Sequence, residues 1–186
     1  DVQNAYTESI VGNLPGREKL KRRINALAKV DVISAPTERG GRYFFTKRLA
    51  NQDLFVQYMR RGLKGKDEIL IDPHSMSPDH TTSVSRLGLS KDGKLMAYGI
   101  RKGGQDEVTV HFMDVDTRKD LPDVLPSARY LGISLKHDKS GFYYAKLGRE
   151  GSRLYYHTMG ADPQSDPELF GKGFGPEKIV SGRLSE

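Results

Sequence analysis

At 186 residues the chain can form one large domain or two small ones, and with no cysteine it has neither a disulfide framework nor thiol chemistry, which fits the cytoplasm or the periplasm equally. Thirty Lys and Arg against 24 Asp and Glu leave a net charge of +6. However, no RNA-recognition signature, zinc finger or basic zipper accompanies that charge, and no apolar run approaches the roughly 18 residues of a membrane span, so neither a nucleic-acid nor a membrane partner is expected.

The first 30 residues read as helical. Val2, Ala5, Tyr6 and Ile10 recur at helical spacing, and Gly12-Asn13-Leu14-Pro15-Gly16 then breaks the chain. Leu20, Ile24 and Leu27 restore a narrow apolar stripe, the pattern of a helix lying on a surface. Arg17, Lys19, Lys21, Arg22, Arg23 and Lys29 occupy its other faces. Such a run reads as a solvated face or one that docks on an acidic surface of the same protein. A nucleic-acid binder would instead show steeply salt-dependent affinity that falls when Arg22 and Arg23 are neutralised.

Ala35-Pro36 ends the helical region, and the apolar runs after it are short and rich in aromatic or β-branched residues. Strands are predicted over 43–47, 54–58, 69–71, 84–89, 95–100, 108–114, 131–134, 142–147 and 154–157. Gly40-Gly41, Asn51-Gln52-Asp53, Lys91-Asp92-Gly93, Gly103-Gly104 and Ser140-Gly141 supply turns between them. In the strand at 108–113, Val108, Val110 and Phe112 share one face. The 20 glycines and nine prolines suit a turn-rich β protein.

A strand–turn–strand pattern recurs. Tyr43, Leu95 and Phe142 each follow a glycine-bearing turn, at separations of 52 and 47 residues, and Leu184-Ser185-Glu186 resembles the opening of a further copy. A period near 40–50 with about four strands favours β-propeller blades over a sandwich, which does not repeat the whole unit. Propellers close with roughly four to eight blades. The chain is therefore expected to be part of a larger object, with Asp1 in place of methionine pointing to an upstream segment that could hold a targeting signal.

Chemistry is sparse in the sequence. There is no Gly-x-Ser-x-Gly elbow, and Gly171-Lys172-Gly173-Phe174-Gly175 runs into a proline rather than a helix, which makes it a loop and not a phosphate cradle. His74 and His80 flank a Pro-containing loop that could bring them together, but they lack a third ligand in register, so no metal is expected. His111 and His157 read as blade-surface residues and His137 as a turn residue facing solvent. Ser90 and Ser134 sit near turns with no base nearby in sequence.

Three further stretches carry a family likeness. They are Leu89-Ser90-Lys91-Asp92-Gly93 through Met96-Ala97-Tyr98-Gly99; Gly104-Gln105-Asp106, Val108-Thr109-Val110 and Phe112-Met113-Asp114-Val115; and Leu121-Pro122-Asp123-Val124-Leu125. With His137-Asp138, Leu154-Tyr155-Tyr156-His157 and the helices beginning near Gln3-Asn4, this resembles the prolyl oligopeptidase family over essentially the whole chain. The resemblance implies a serine endopeptidase that cleaves short proline-containing peptides after proline, with a seven-bladed propeller covering an α/β-hydrolase domain that holds the Ser-Asp-His triad. Residues 1–35 would be helices packing on that hydrolase domain. Residues 36–186 would be roughly three blades of a truncated, mainly β propeller that gates access to the active site. The triad would lie outside this chain, which alone would be inactive, and no cofactor is implied. By the same resemblance Tyr130 would reach toward the substrate pocket and Asp106 would face the hydrolase domain. The alternative is a stand-alone propeller-like scaffold without enzymatic activity.

Overall fold

A computed structural model describes residues 2–185. Two helices, α1 (Val2–Val11) and α2 (Arg17–Ala28), precede twelve strands: β1 (Val32–Ile33), β2 (Thr37–Arg39), β3 (Arg42–Arg48), β4 (Val56–Arg61), β5 (Asp67–Ile71), β6 (Ser83–Leu89), β7 (Leu95–Arg101), β8 (Val108–Asp114), β9 (Lys119–Leu135), β10 (Gly141–Gly148), β11 (Gly151–Thr158) and β12 (Glu168–Phe170). The strands form two antiparallel sheets. In the first, β1 and β2 both pair with β3, followed by β4 and β5. The second runs β12-β11-β10-β9-β8-β7-β6.

The β1 and β2 ladders are two pieces of one inner strand. Ala35-Pro36 interrupts it, and the gap is bridged by Ser34 N–H on the Thr46 carbonyl and Thr46 N–H on Ser34 Oγ. The second sheet divides at β9. Residues 119–128 pair with β8, from Asp114↔Lys119 to Val108↔Ala128. Residues 129–135 pair with β10, from Leu147↔Arg129 to Phe142↔Leu135. Leu135 and the turn after it return to the end where β9 began, since Lys139 Nζ there holds Asp92 Oδ2 at 2.5 Å. Thus β9 runs out along one four-stranded unit, folds back near Pro126, and becomes the first strand of the next.

Burial follows from this stacking. Met96, Tyr98, Met113 and Val115 pack with Phe44, Met59, Leu70 and Ile71 of the first sheet. From the opposite faces of the same strands, Leu95, Ala97, Val110 and Phe112 pack with Leu135, Phe142 and Tyr144. The β7 run Leu95-Met96-Ala97-Tyr98-Gly99 is buried on both sides because it lies between two neighbours.

Hydrogen bonds refine the repeat. Ser90 N–H donates to the Leu95 carbonyl as Lys136 N–H does to Gly141, while Asp92 Oδ1 accepts from Lys94 N–H as Asp138 Oδ1 does from Ser140 N–H. Leu95 therefore matches Gly141, not Phe142, so the second separation is one residue shorter than counting from the glycine suggests. In the third copy the turn glycine has moved into the strand itself. The true equivalents are Phe44, Met96 and Phe142, all with no exposed surface.

The turns touch from unit to unit. Gly40 has φ +57, and a Cβ there would lie 2.3 Å from the Asp92 carbonyl oxygen. Arg42, itself buried, donates to the Gly93 carbonyl at 3.1 Å and to Asp116 Oδ1 at 2.7 Å. Neither helix has a buried residue. They join the sheets through Arg48 Nη2 on the Ala28 carbonyl, with Asp31 Oδ1 accepting from Ala50 N–H close by. Leu184 donates its N–H to Ser134 Oγ but forms no strand, and Glu186 lies outside the described residues.

Candidate functional site

The two residues singled out by resemblance come together at one end of the sheets. Asp106 sits in the loop between β7 and β8 and pairs through Oδ2 with Arg129 Nη2 at 2.8 Å. Glu107 Oε1 accepts from Arg129 Nε at 3.2 Å. Tyr130, next along β9, donates its hydroxyl to the Pro126 carbonyl at 2.5 Å across the fold-back and packs edge-on against Tyr144 at 5.8 Å. Burial, then the charge of Asp166, pushes the Tyr130 hydroxyl above its ordinary range, which keeps it a neutral donor. A cleft of about 490 Å³ opens beside this cluster, lined by Glu107, Ala128, Arg129, Leu147, Arg149 and Pro176. The β3–β4 hairpin loop that adjoins α2 lies at this same end, as the alternating strand directions require.

Below Tyr130 lies a buried polar network that sequence reasoning missed. His157 has no exposed surface and stands between two carboxylates. Its Nε2 is 3.1 Å from Asp123 Oδ1, and its Nδ1 is 2.8 Å from Asp166 Oδ1. Tyr144 donates its hydroxyl to Asp166 Oδ2 at 2.9 Å, and Asp123 Oδ1 also accepts from Gly160 N–H. The expected blade-surface role for His157 is thus corrected. Strand register places it where the preceding unit has Met113: Leu95's counterpart Gly141 pairs with Thr158, and His157 precedes it as Met113 precedes Asp114. The signal was present only in part. Tyr98 donates to Asp120 and Tyr144 to Asp166 at the same spacing of 22 residues, a repeat of polar pairs that the apolar pattern does not show.

The other histidines hold turns and loops. His74 and His80 do meet, with rings 5.3 Å apart and edge to face. Yet His74 Nδ1 lies 2.6 Å from Asp72 and His80 Nδ1 lies 3.1 Å from Asp53, and among the described residues no group of three metal-binding side chains forms. His111 stacks on Tyr98, the place Tyr155 takes on Tyr144. Ser90 Oγ donates to Asp92 and accepts from Leu95 N–H, closing its turn. None of the carboxylate pairings of His74, His80 and His157 includes a serine hydroxyl.

Antiparallel four-stranded units, stacked face to face with the first strand of each on a common wall, are the architecture of a β-propeller. The family comparison is more specific. The N-terminal β-propeller domain of prolyl oligopeptidase matches residues 1–186, and the chain belongs to that family. It is 29% identical over 192 residues to a prolyl endopeptidase of Elizabethkingia miricola, covering 97% of this chain and 27% of the relative. It is 24% identical to dipeptidyl aminopeptidase BI of Pseudoxanthomonas mexicana over 91% of this chain and 26% of that one. A structure from a mechanistic study of two prolyl endopeptidases superposes with a TM-score of 0.90 at 29% identity, over 99% of this chain and 29% of that chain. Prolyl oligopeptidase B from Galerina marginata, bound to a 35mer hydrolysis and macrocyclization substrate, shares the fold at a TM-score of 0.75 and 18% identity, over 89% of this chain and 26% of that one. The chain spans little more than a quarter of the length of these relatives.

Proposed function

We propose that this chain is the N-terminal portion of a serine endopeptidase that cleaves short peptides after proline, and that its sheets form about three blades of a propeller gating the active site. The observation that carries this reading is the match of the whole chain to the family's propeller domain, with a TM-score of 0.90 to a prolyl endopeptidase structure. Residues 1–35 dock on an α/β-hydrolase domain of the same protein. Their exposed apolar side chains support this: Tyr6, Ile10, Leu20, Ile24 and Leu27 are each at least half exposed, on helices that bury nothing in the sheets.

In this reading Tyr130 stands at the edge of the substrate pocket, held by Pro126 and Tyr144, while Asp106 and Arg129 meet the hydrolase domain beside it. The sheets contribute a rigid wall that excludes folded proteins and water. A dry site strengthens the hydrogen bonds that stabilise an oxyanion, whereas the nucleophile and base come from the hydrolase domain. The test is turnover of a chromogenic Gly-Pro peptide by the full-length protein and by the 186-residue chain. Turnover by the former alone is expected. Activity in the chain would refute this division of labour, and an inactive full-length protein would remove the peptidase reading.

A further inference from the structure

A groove of about 500 Å³ runs along the wall formed by the first strand of each unit. Thr37 and Arg39 of β2, residues 86–89 of β6 and residues 131–135 of β9 line it, closed on one side by residues 181–185. Its charge is one-sided. Arg39, Arg86, Lys91 and Arg183 line the groove together with His137, and among the described residues no Asp or Glu does. Two described carboxylates next to lining residues are held by other groups. Glu38 Oε1 accepts from Gly41 N–H at 2.6 Å, and Asp92 is held by the Ser90 hydroxyl and Lys139 Nζ.

Arg86 is the most telling of these groups. It is half-buried in the middle of the wall, and the bond described for its guanidinium goes to a neutral group, the Thr37 hydroxyl at 3.0 Å. Burial, followed by the charge of Arg39, lowers its pKa from the ordinary 12.5, yet a guanidinium stays cationic throughout the physiological range. A partly desolvated cation without a described carboxylate partner is a standing preference for an anion. Lys91 and His137 lie at the turn end of the groove, remote from the helices and from Tyr130. Leu87, Leu89 and Ile133 provide apolar surface between the charges.

We propose that this wall is a cationic track that binds peptides through their carboxylates, acidic side chains or the C-terminal carboxylate, and so biases the enzyme toward acidic peptides. Lys91 and His137 attract the peptide at the turn end, and Arg86 holds a carboxylate midway. The apolar residues between them contact the peptide's aliphatic parts without choosing a sequence. A focused field of one sign in a concave, low-dielectric wall raises association rates by about tenfold or more, and this gain falls with ionic strength. The proposal deepens the peptidase reading and rests on it.

The test uses the full-length enzyme and peptides identical around the scissile proline that carry three Glu, three Lys or three Ser at remote positions. At low salt the Glu peptide should show a kcat/KM about tenfold above the Lys peptide, with the ratio approaching one at high salt. Lys91→Glu, an exposed substitution, should cut that ratio several-fold, and Arg86→Gln should weaken the Glu peptide through KM rather than kcat. A ratio near one in the unmodified enzyme, or the same ratio in Lys91→Glu, overturns the proposal. Calorimetric binding of the Glu peptide to the same protein separates the two readings. If no prolyl peptide is cleaved but the Glu peptide binds and Lys91→Glu weakens it, the peptidase reading fails and the track stands. Absent or unchanged binding sinks the track whatever the activity.

Discussion

His157 shows how a single buried group can tie several strands together. It joins β11 to Asp123 in β9 and to Asp166 in the segment before β12, and through Asp166 to Tyr144 in β10. Removing only the imidazole leaves two carboxylates facing a dry space. His157→Met, the residue type of its counterpart Met113, should therefore destabilise the protein by about 3–5 kcal/mol. Combining it with Asp123→Asn and Asp166→Asn should recover much of that loss, and urea unfolding of both variants measures the difference. Recovery failing to appear would mean that packing, not charge, dominates the site. The network was illegible in sequence because its members lie far apart, and because both faces of β11 are covered, so alternation does not separate inside from outside. Asp123 sits within the Leu121-Pro122-Asp123-Val124-Leu125 run that carried the family likeness, and its bonds to His157 and Gly160 give that run a structural reason.

At the level of elements, the turns do more than reverse the chain. Gly40 and Gly41 both have positive φ, but only Gly40 approaches the next unit, while a Cβ on Gly41 would meet open space. Gly41→Ala should cost about 1 kcal/mol, the strain of the left-handed conformation, whereas Gly40→Ala adds a clash with backbone and should cost about 2–4 kcal/mol. Equal losses by urea unfolding would show that the two turns do not press on each other. The Asp92 turn adds a pH dependence. Burial raises the Asp92 pKa, but Lys139, the Ser90 hydroxyl and the Lys94 N–H together outweigh it, and the pKa falls below the ordinary 3.8. A depressed folded-state value means a contribution that is fully present above about pH 4 and lost as the pH falls through the folded-state value. Asp138, held by Ser140 and Lys136, is lowered to about 2 and acts in the same direction. The unfolding midpoint should thus be level from pH 7 to 5 and drop below pH 4, less steeply in Asp92→Asn. The turns and the two-sided β7 strand were legible in the sequence because glycine and apolar runs mark them. The strand over 119–125 was not, since Asp120, Pro122 and Asp123 break the apolar pattern. It is the outer strand of its unit, where a missing ladder N–H is tolerated. Strand β2 was missed for a related reason: it is three polar residues, of which Thr37 and Arg39 line the groove.

For the whole molecule, the helices and the sheets make opposite demands. The sheets bury their faces on one another, but the apolar side chains of α1 and α2 remain open. If these helices dock on a hydrolase domain, Ile24→Asp with Leu27→Asp should leave the sheet signal in circular dichroism intact. The same pair should lower the thermal midpoint and activity of the full-length enzyme, because two buried side chains of this size contribute about 2–3 kcal/mol each. No change in the full-length protein would place the helices in solvent. The propeller architecture could be read from sequence because repetition is visible at the level of turns. The narrow stripes of the helices indicated only a surface position, and docking on a hydrolase domain was an expectation from the resemblance.

The fold-back of β9 carries a consequence for how the sheets move. Two units that share one uninterrupted strand have no slack segment between them, and Tyr130 fastens the bend to Pro126. One cannot swing away without fraying the ladder of the other, so opening is expected as a joint event, with amides on both limbs of β9 exchanging with deuterium at a common rate. The first sheet is joined to β6 by a longer loop, residues 72–82, and by side-chain contacts such as Gln57 on the Val84 carbonyl. If the arc has a hinge, it lies there.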